Sequence, residues 1–84
     1  MSDNSKMAAE LWQKFLVLTQ EMLKFIEKND IDMFLNLLEQ RLDLQKQIET
    51  LADDVYHKTT AGQEIISRIN PINEQIQILV QKWL

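Results

Sequence analysis

Cysteine is absent from this chain, and glycine and proline occur once each, as Gly62 and Pro71. Without cysteine no disulfide braces the fold, which suits a reducing compartment. A single glycine and a single proline leave little material for β-turns and hairpins, so a sheet protein is disfavoured. Basic residues are also scarce: nine Lys and Arg stand against thirteen Asp and Glu, for a net charge of −4. That balance lacks the basic footprint of a nucleic-acid binder. The longest unbroken apolar run, Phe15 to Leu18, is far too short to span a bilayer, and Met1 to Met7 hold no secretory h-region. A soluble, cytoplasmic protein is expected, with no membrane insertion. Eighty-four residues make one domain, close to the lower limit for folding on a hydrophobic core alone.

What the chain does have is apolar periodicity. Ile65, Ile69, Ile72, Ile76, Leu79 and Trp83 recur at heptad spacing and keep six large side chains on one side of a helix. Nearer the start, Leu11, Phe15, Leu18, Met22 and Phe25 form one stripe, and Trp12, Leu16, Thr19, Leu23 and Ile26 a second beside it. Two adjacent stripes are wider than a two-stranded seam needs, so this helix must touch two neighbours. A middle segment carries Ile31, Phe34, Leu38, Ile48, Ala52 and Val55 in one frame, with Arg41 and Gln45 at the intervening positions. The reading is an all-α, antiparallel three-helix bundle with helices at about 7–28, 30–56 and 60–84. Residues 1–6 are expected to be a flexible lead-in with Ser5 as N-cap, and residues 7–84 a single bundle domain. Asn29 with Asp32, and Thr60 with Gln63, read as capping boxes at the two breaks. Pro71 removes one backbone bond and crowds the Ser67 carbonyl, which predicts a kink near Asn70 within one helix whose stripe stays in phase. The expected core is Leu11, Phe15, Leu18, Met22, Phe34, Leu38, Ile48, Ile65, Ile69, Ile72 and Ile76.

Groups that carry chemistry are sparse. The single histidine, His57, sits where it complements a helix C-terminus, and no nucleophile stands beside it in the pattern. Asp53, Asp54 and His57 are the nearest approach to a metal set, too few ligands on a helix end to make a site. Gly62 stands alone, so no phosphate loop exists. Neither catalytic residues nor a cofactor or metal site is expected. Arg41 occupies a heptad position that an apolar residue would otherwise fill; residue statistics favour a snorkelling side chain over an anion-binding arginine inside the bundle.

The run Trp12-Gln13-x-x-Leu16-x-x-Thr19-Gln20-x-Met22-Leu23, followed by an acidic-polar break and Leu37-Leu38-Glu39-Gln40-Arg41, resembles the FliT family of flagellar export chaperones. The resemblance covers roughly residues 8–50 and rests mostly on core positions. It implies a small, acidic, all-helical cytoplasmic protein that binds the C-terminal helical segment of the flagellar filament-cap protein. Such a protein keeps its client unassembled and hands it to the type III export apparatus. Several members carry a further C-terminal helix that masks the binding face. This chain ends at Trp83-Leu84 in mid-pattern without a glycine cap, so that helix is expected to be absent or cut away.

Ile31-Asp32-x-x-Leu35-x-x-Leu38-x-x-Arg41-Leu42 also resembles the opening helix of AroQ-type chorismate mutases. Only Arg41 carries over. Glu49, Thr50, Leu51 and Ala52 stand where that resemblance implies a lysine, and the acidic surplus is wrong for a dianionic substrate.

The apolar surplus points to a partner. Leu37, Leu44 and Leu51 form a ridge on the second helix, while Ile66, Asn73 and Val80 flank the main stripe of the third. A client groove between these helices is expected, floored by Leu44, Leu51, Ile66, Val80 and Trp83, with Trp83 as its hot spot. The same ridges would serve a homodimer.

Overall fold

The computed structural model describes residues 2–51 and 56–83, and side chains for residues 6–51 and 56–82. Three α-helices follow one another: α1 (Ser2–Glu27), α2 (Ile31–Glu49) and α3 (Thr60–Trp83), with a single 3-10 turn at Tyr56–Lys58 before the third. No strand occurs among the described residues. The extents of 43 × 21 × 16 Å reflect helix length, since 26 residues at 1.5 Å each span about 39 Å. α1 packs against both other helices, antiparallel to α2 and parallel to α3. No Cα of α2 comes within 8 Å of one in α3 among the described residues. The width of the α1 apolar face is thus used on two neighbours that meet each other through side chains alone.

The termini of the helices follow local chemistry, with several departures from the expected boundaries. α1 begins at Ser2, so the expected lead-in is helical from that residue and Ser5 is not an N-cap. α1 ends in a Schellman motif. Asn29 adopts a left-handed φ of 60°, its N–H bonds the Ile26 carbonyl, and the Asp30 N–H bonds the Phe25 carbonyl. Asn29 therefore finishes α1 and does not box with Asp32. Asp30 is the N-cap of α2, its carboxylate accepting from the Met33 N–H at 3.2 Å.

α2 stops at Glu49 with Thr50 as C-cap, short of the expected residue 56. The Thr50 hydroxyl donates to the Gln47 carbonyl at 2.7 Å, a local bond that competes with continuing the helix. Asp53 and Asp54 lie outside the described residues. At α3 the cap is Thr59 rather than Thr60: its hydroxyl accepts from the Gly62 N–H at 3.0 Å and donates to the Tyr56 carbonyl at 2.7 Å. Gly62 is buried, and a Cβ on it would run into that Tyr56 carbonyl. The one glycine thus stands where backbone meets backbone. Pro71 lies inside α3, which continues to Trp83 as one helix.

The deepest apolar side chains are Ala8, Leu16, Met22, Ile26, Phe34, Leu44, Ile48, Ile69 and Ile76. Five of the expected core residues are among them: Met22, Phe34, Ile48, Ile69 and Ile76. Leu11, Phe15, Leu18, Leu38, Ile65 and Ile72 are only half-buried. In α1 the buried residues are Ala8, Leu16, Thr19, Met22 and Ile26, which follow the second stripe together with Met22 of the first. A helix with a neighbour on each side buries most deeply the line that faces both.

Candidate functional site

Polar residues on three apolar faces meet at mid-bundle. Thr19 of α1 is fully buried, and its hydroxyl donates to the Phe15 carbonyl at 2.7 Å. The same oxygen accepts from Arg41 Nη1 at 3.1 Å. Arg41 Nη1 also donates to Asn73 Oδ1 of α3 at 2.7 Å, and the guanidinium carbon lies 5.0 Å from the centre of the Phe15 ring. Arg41 therefore does not snorkel to solvent. Its head is held half-buried across all three helices, and desolvation lowers its pKa from the ordinary arginine value. Arginine remains charged at neutral pH even so.

This layer divides the furrow between α2 and α3 into two chambers. One, of about 540 Å³, is lined by Trp12 and Phe15 below, by Gln45, Ile48, Glu49, Leu51 and His57, and by Ile66, Ile69, Asn70 and Asn73 of α3. The other, of about 480 Å³, is formed by Met22, by Phe34, Leu35, Leu38 and Arg41 of α2, and by Ile76, Gln77, Val80 and Gln81. Trp12 packs on Phe15 with ring centroids 5.7 Å apart, and its buried indole N–H has no hydrogen-bond partner among the described residues. The furrow floor is the α1 face; its walls are helices bridged by the Arg41–Asn73 hydrogen bond, with no Cα pair between them within 8 Å among the described residues.

Among the residues expected to floor the groove, Leu51 and Ile66 meet in the first chamber and Val80 lies in the second, all half-buried. Leu44 is placed elsewhere. It is 7% exposed and lines a separate cavity on the opposite side of α2, against Val17 and Leu18 of α1. Leu44 and Leu51 part company because the helix ends at the Thr50 cap, which takes Leu51 off the helical line of Leu37 and Leu44. Trp83 belongs to α3, but its side chain lies outside the described residues. The Thr19–Arg41–Asn73 layer was not foreseen as a unit. Its signal was a polar residue on or beside the apolar stripe of each helix.

No group of His, Asp and Glu able to hold a metal ion occurs among the described residues, and no helix there is long and apolar enough to cross a membrane. Of Asp53, Asp54 and His57, too few to make a site on the sequence alone, the two aspartates lie outside the described residues.

The model of the family described as "Flagellar protein FliT" matches residues 9–84, nearly the whole chain. The chain belongs to the FliT family. FliT proteins are flagellar export chaperones, and the helical bundle described above is the scaffold on which this member presents its furrow. The match extends the likeness from the first two helices through all of α3. No curated protein and no solved structure matches the chain.

Proposed function

We propose that this FliT-family chain is a cytoplasmic chaperone of type III flagellar export. Its α2–α3 furrow docks an amphipathic C-terminal helix of a client such as the filament-cap protein, holds it unassembled, and presents it to the export apparatus. The observation that carries this reading is the open furrow itself. The Cα atoms of α2 and α3 stay beyond 8 Å of one another among the described residues, and a largely apolar chamber opens on either side of the Arg41–Asn73 bridge between them. A helix laid there would complete the bundle as a fourth member, with anchors at i, i+3, i+4 and i+7 filling the two chambers.

Leu51, Ile66, Val80 and Trp83 are the residues proposed to meet the client. Leu44 supports the fold from the other side of α2 and is not proposed as a contact. An enzymatic reading gains nothing from the geometry. A chorismate mutase-type site requires several preorganised donors around a dianion, and here Nη1 of the one furrow arginine is engaged by Thr19 and Asn73.

Titration of the chain with the C-terminal helical peptide of a filament-cap protein, followed by calorimetry and light scattering, tests the proposal. A one-to-one complex is expected, and Leu51→Lys, Ile66→Lys and Val80→Lys should each weaken it while keeping helical content and melting cooperativity. Unchanged affinity in all three variants would refute the furrow as the site. Loss of a self-dimer without loss of peptide binding would make the furrow a homodimer interface instead.

A further inference from the structure

Arg41 carries a positive charge into the middle of an apolar furrow and finds only neutral partners there. Its hydrogen bonds go to a hydroxyl and an amide oxygen, and its face rests on a phenyl ring. Among the described residues no carboxylate comes within ion-pair distance of it, and the Lys24–Glu21 and Arg68–Glu64 pairs lie exposed, apart from it. A guanidinium presents donors on three nitrogens, and Thr19 and Asn73 take both hydrogens of Nη1. Among the described residues nothing accepts from Nη2 or Nε, which leaves these donors for a planar anion, and a carboxylate is the protein group that fits such a fork. The side chain is already immobilised by its bonds to two other helices, so binding through it forfeits little further rotamer freedom.

We propose that Arg41 is the recognition point for a carboxylate on the docked helix. The occupant of the furrow is an amphipathic helix of a partner protein, with Asp or Glu facing Arg41 and apolar residues about two turns to either side. This rests on the helix-docking reading above and adds the chemistry that would select the helix. The spacing follows from α2, where Phe34 and Ile48 each stand seven residues from Arg41, about 10 Å along the axis in either direction. Those two residues lie in the two apolar chambers. Register is also set. The chamber around Phe34 and Val80 has no charged lining residue other than Arg41, whereas Glu49 and His57 stand in the other. An acidic residue slid toward Glu49 would meet a like charge, while at Arg41 it meets an unpaired opposite one.

The test uses designed helical peptides of about 20 residues that are identical except for Glu, Gln or Lys at the central furrow-facing position. Each is titrated against the wild-type chain, Arg41→Gln and Asn73→Asp, with the filament-cap peptide measured in parallel. For wild type, the Glu peptide should bind about tenfold tighter than the Gln peptide, the Lys peptide weakest, with the Glu advantage shrinking in high salt. Arg41→Gln should abolish the preference by removing the cation, and Asn73→Asp should reduce it by supplying an internal carboxylate. Equal binding of the Glu and Gln peptides to wild type would overturn the carboxylate inference and leave helix docking standing. A preference that persists in both variants would likewise overturn it. If neither designed peptide nor the filament-cap peptide binds, the docking reading fails and this inference with it. The peptide comparison in wild type decides the matter should Arg41→Gln fail to fold.

Discussion

Arg41 of α2 and Asn73 of α3 are joined by a hydrogen bond of 2.7 Å, although no Cα of α2 lies within 8 Å of one in α3 among the described residues. The bond acts as a strut across the furrow. It fixes the spacing of two walls that share no backbone packing, and it leaves open chambers above and below. Its other consequence is electrostatic, since a charge is held in place with donors to spare.

Removing the far end of that strut should destabilise the chain without unfolding it. Asn73→Ala leaves a half-buried guanidinium with one acceptor fewer, at a cost of about 1–2 kcal/mol given its partial access to water. For a domain of this size that lowers the melting temperature by about 4–8 °C per kcal/mol. Calorimetric melting checks it; an unchanged midpoint would mean that the bond contributes nothing in solution.

Ile69 is 3% exposed in the core of α3. Ile69→Ala should cost about 2–5 kcal/mol through lost transfer energy and a residual cavity. Small domains have only about 5–15 kcal/mol in hand, so much of the chain should be unfolded near physiological temperature. Urea denaturation measures this, and a loss below about half a kcal/mol would place Ile69 outside the core.

Helix propensity alone makes Gly62→Ala a stabilising change of about 1 kcal/mol. The opposite is expected here. The new methyl would collide with the Tyr56 carbonyl, so the 3-10 turn and the Thr59 cap must shift, and a net loss of about 1–3 kcal/mol should follow. Chemical denaturation gives the sign directly.

Pro71 is exposed inside α3 and withholds one helical hydrogen bond. Pro71→Ala should raise stability by up to about 3 kcal/mol and straighten the helix, while Ile65, Ile69, Ile72 and Ile76 keep their common face. A fall in melting temperature would show that a proline-induced bend is needed for α3 to follow α1.

Leu44→Lys and Leu51→Lys separate support from recognition. Leu44 is 7% exposed against α1, so a lysine there should lower stability by several kcal/mol, as expected for burying an unpaired charge. Leu51 is half-buried at the furrow and should tolerate lysine with full helical content. Circular dichroism melts of the two variants decide the assignment.

Three helices, the approximate position of both breaks, and an α1 face wide enough for two neighbours were all legible in the sequence. The reason is physical: apolar residues at 3.5–3.6 spacing have few alternatives to facing a core, and Leu, Ile, Gln, Glu and Lys favour helix locally. The likeness to flagellar export chaperones was also readable, from the spacing of Trp12-Gln13, Thr19-Gln20, Met22-Leu23 and Leu38 to Arg41. Caps were less legible. Asn29 and Asp30, or Thr59 and Thr60, are chemically alike, and only backbone geometry decides which of each pair bonds the free N–H groups.

Tertiary structure alone decided what the side ridges do. Periodicity assigned Leu44 and Leu51 to one face, yet α2 ends between them and sends one to the core and the other to the furrow. Periodicity likewise treated Thr19, Arg41 and Asn73 as separate interruptions of three stripes. Their meeting depends on the depths at which α2 and α3 slide along α1, a relationship between residues 22 and 32 positions apart that no local pattern encodes. Burial makes that relationship matter, because a desolvated guanidinium must find partners wherever packing brings them.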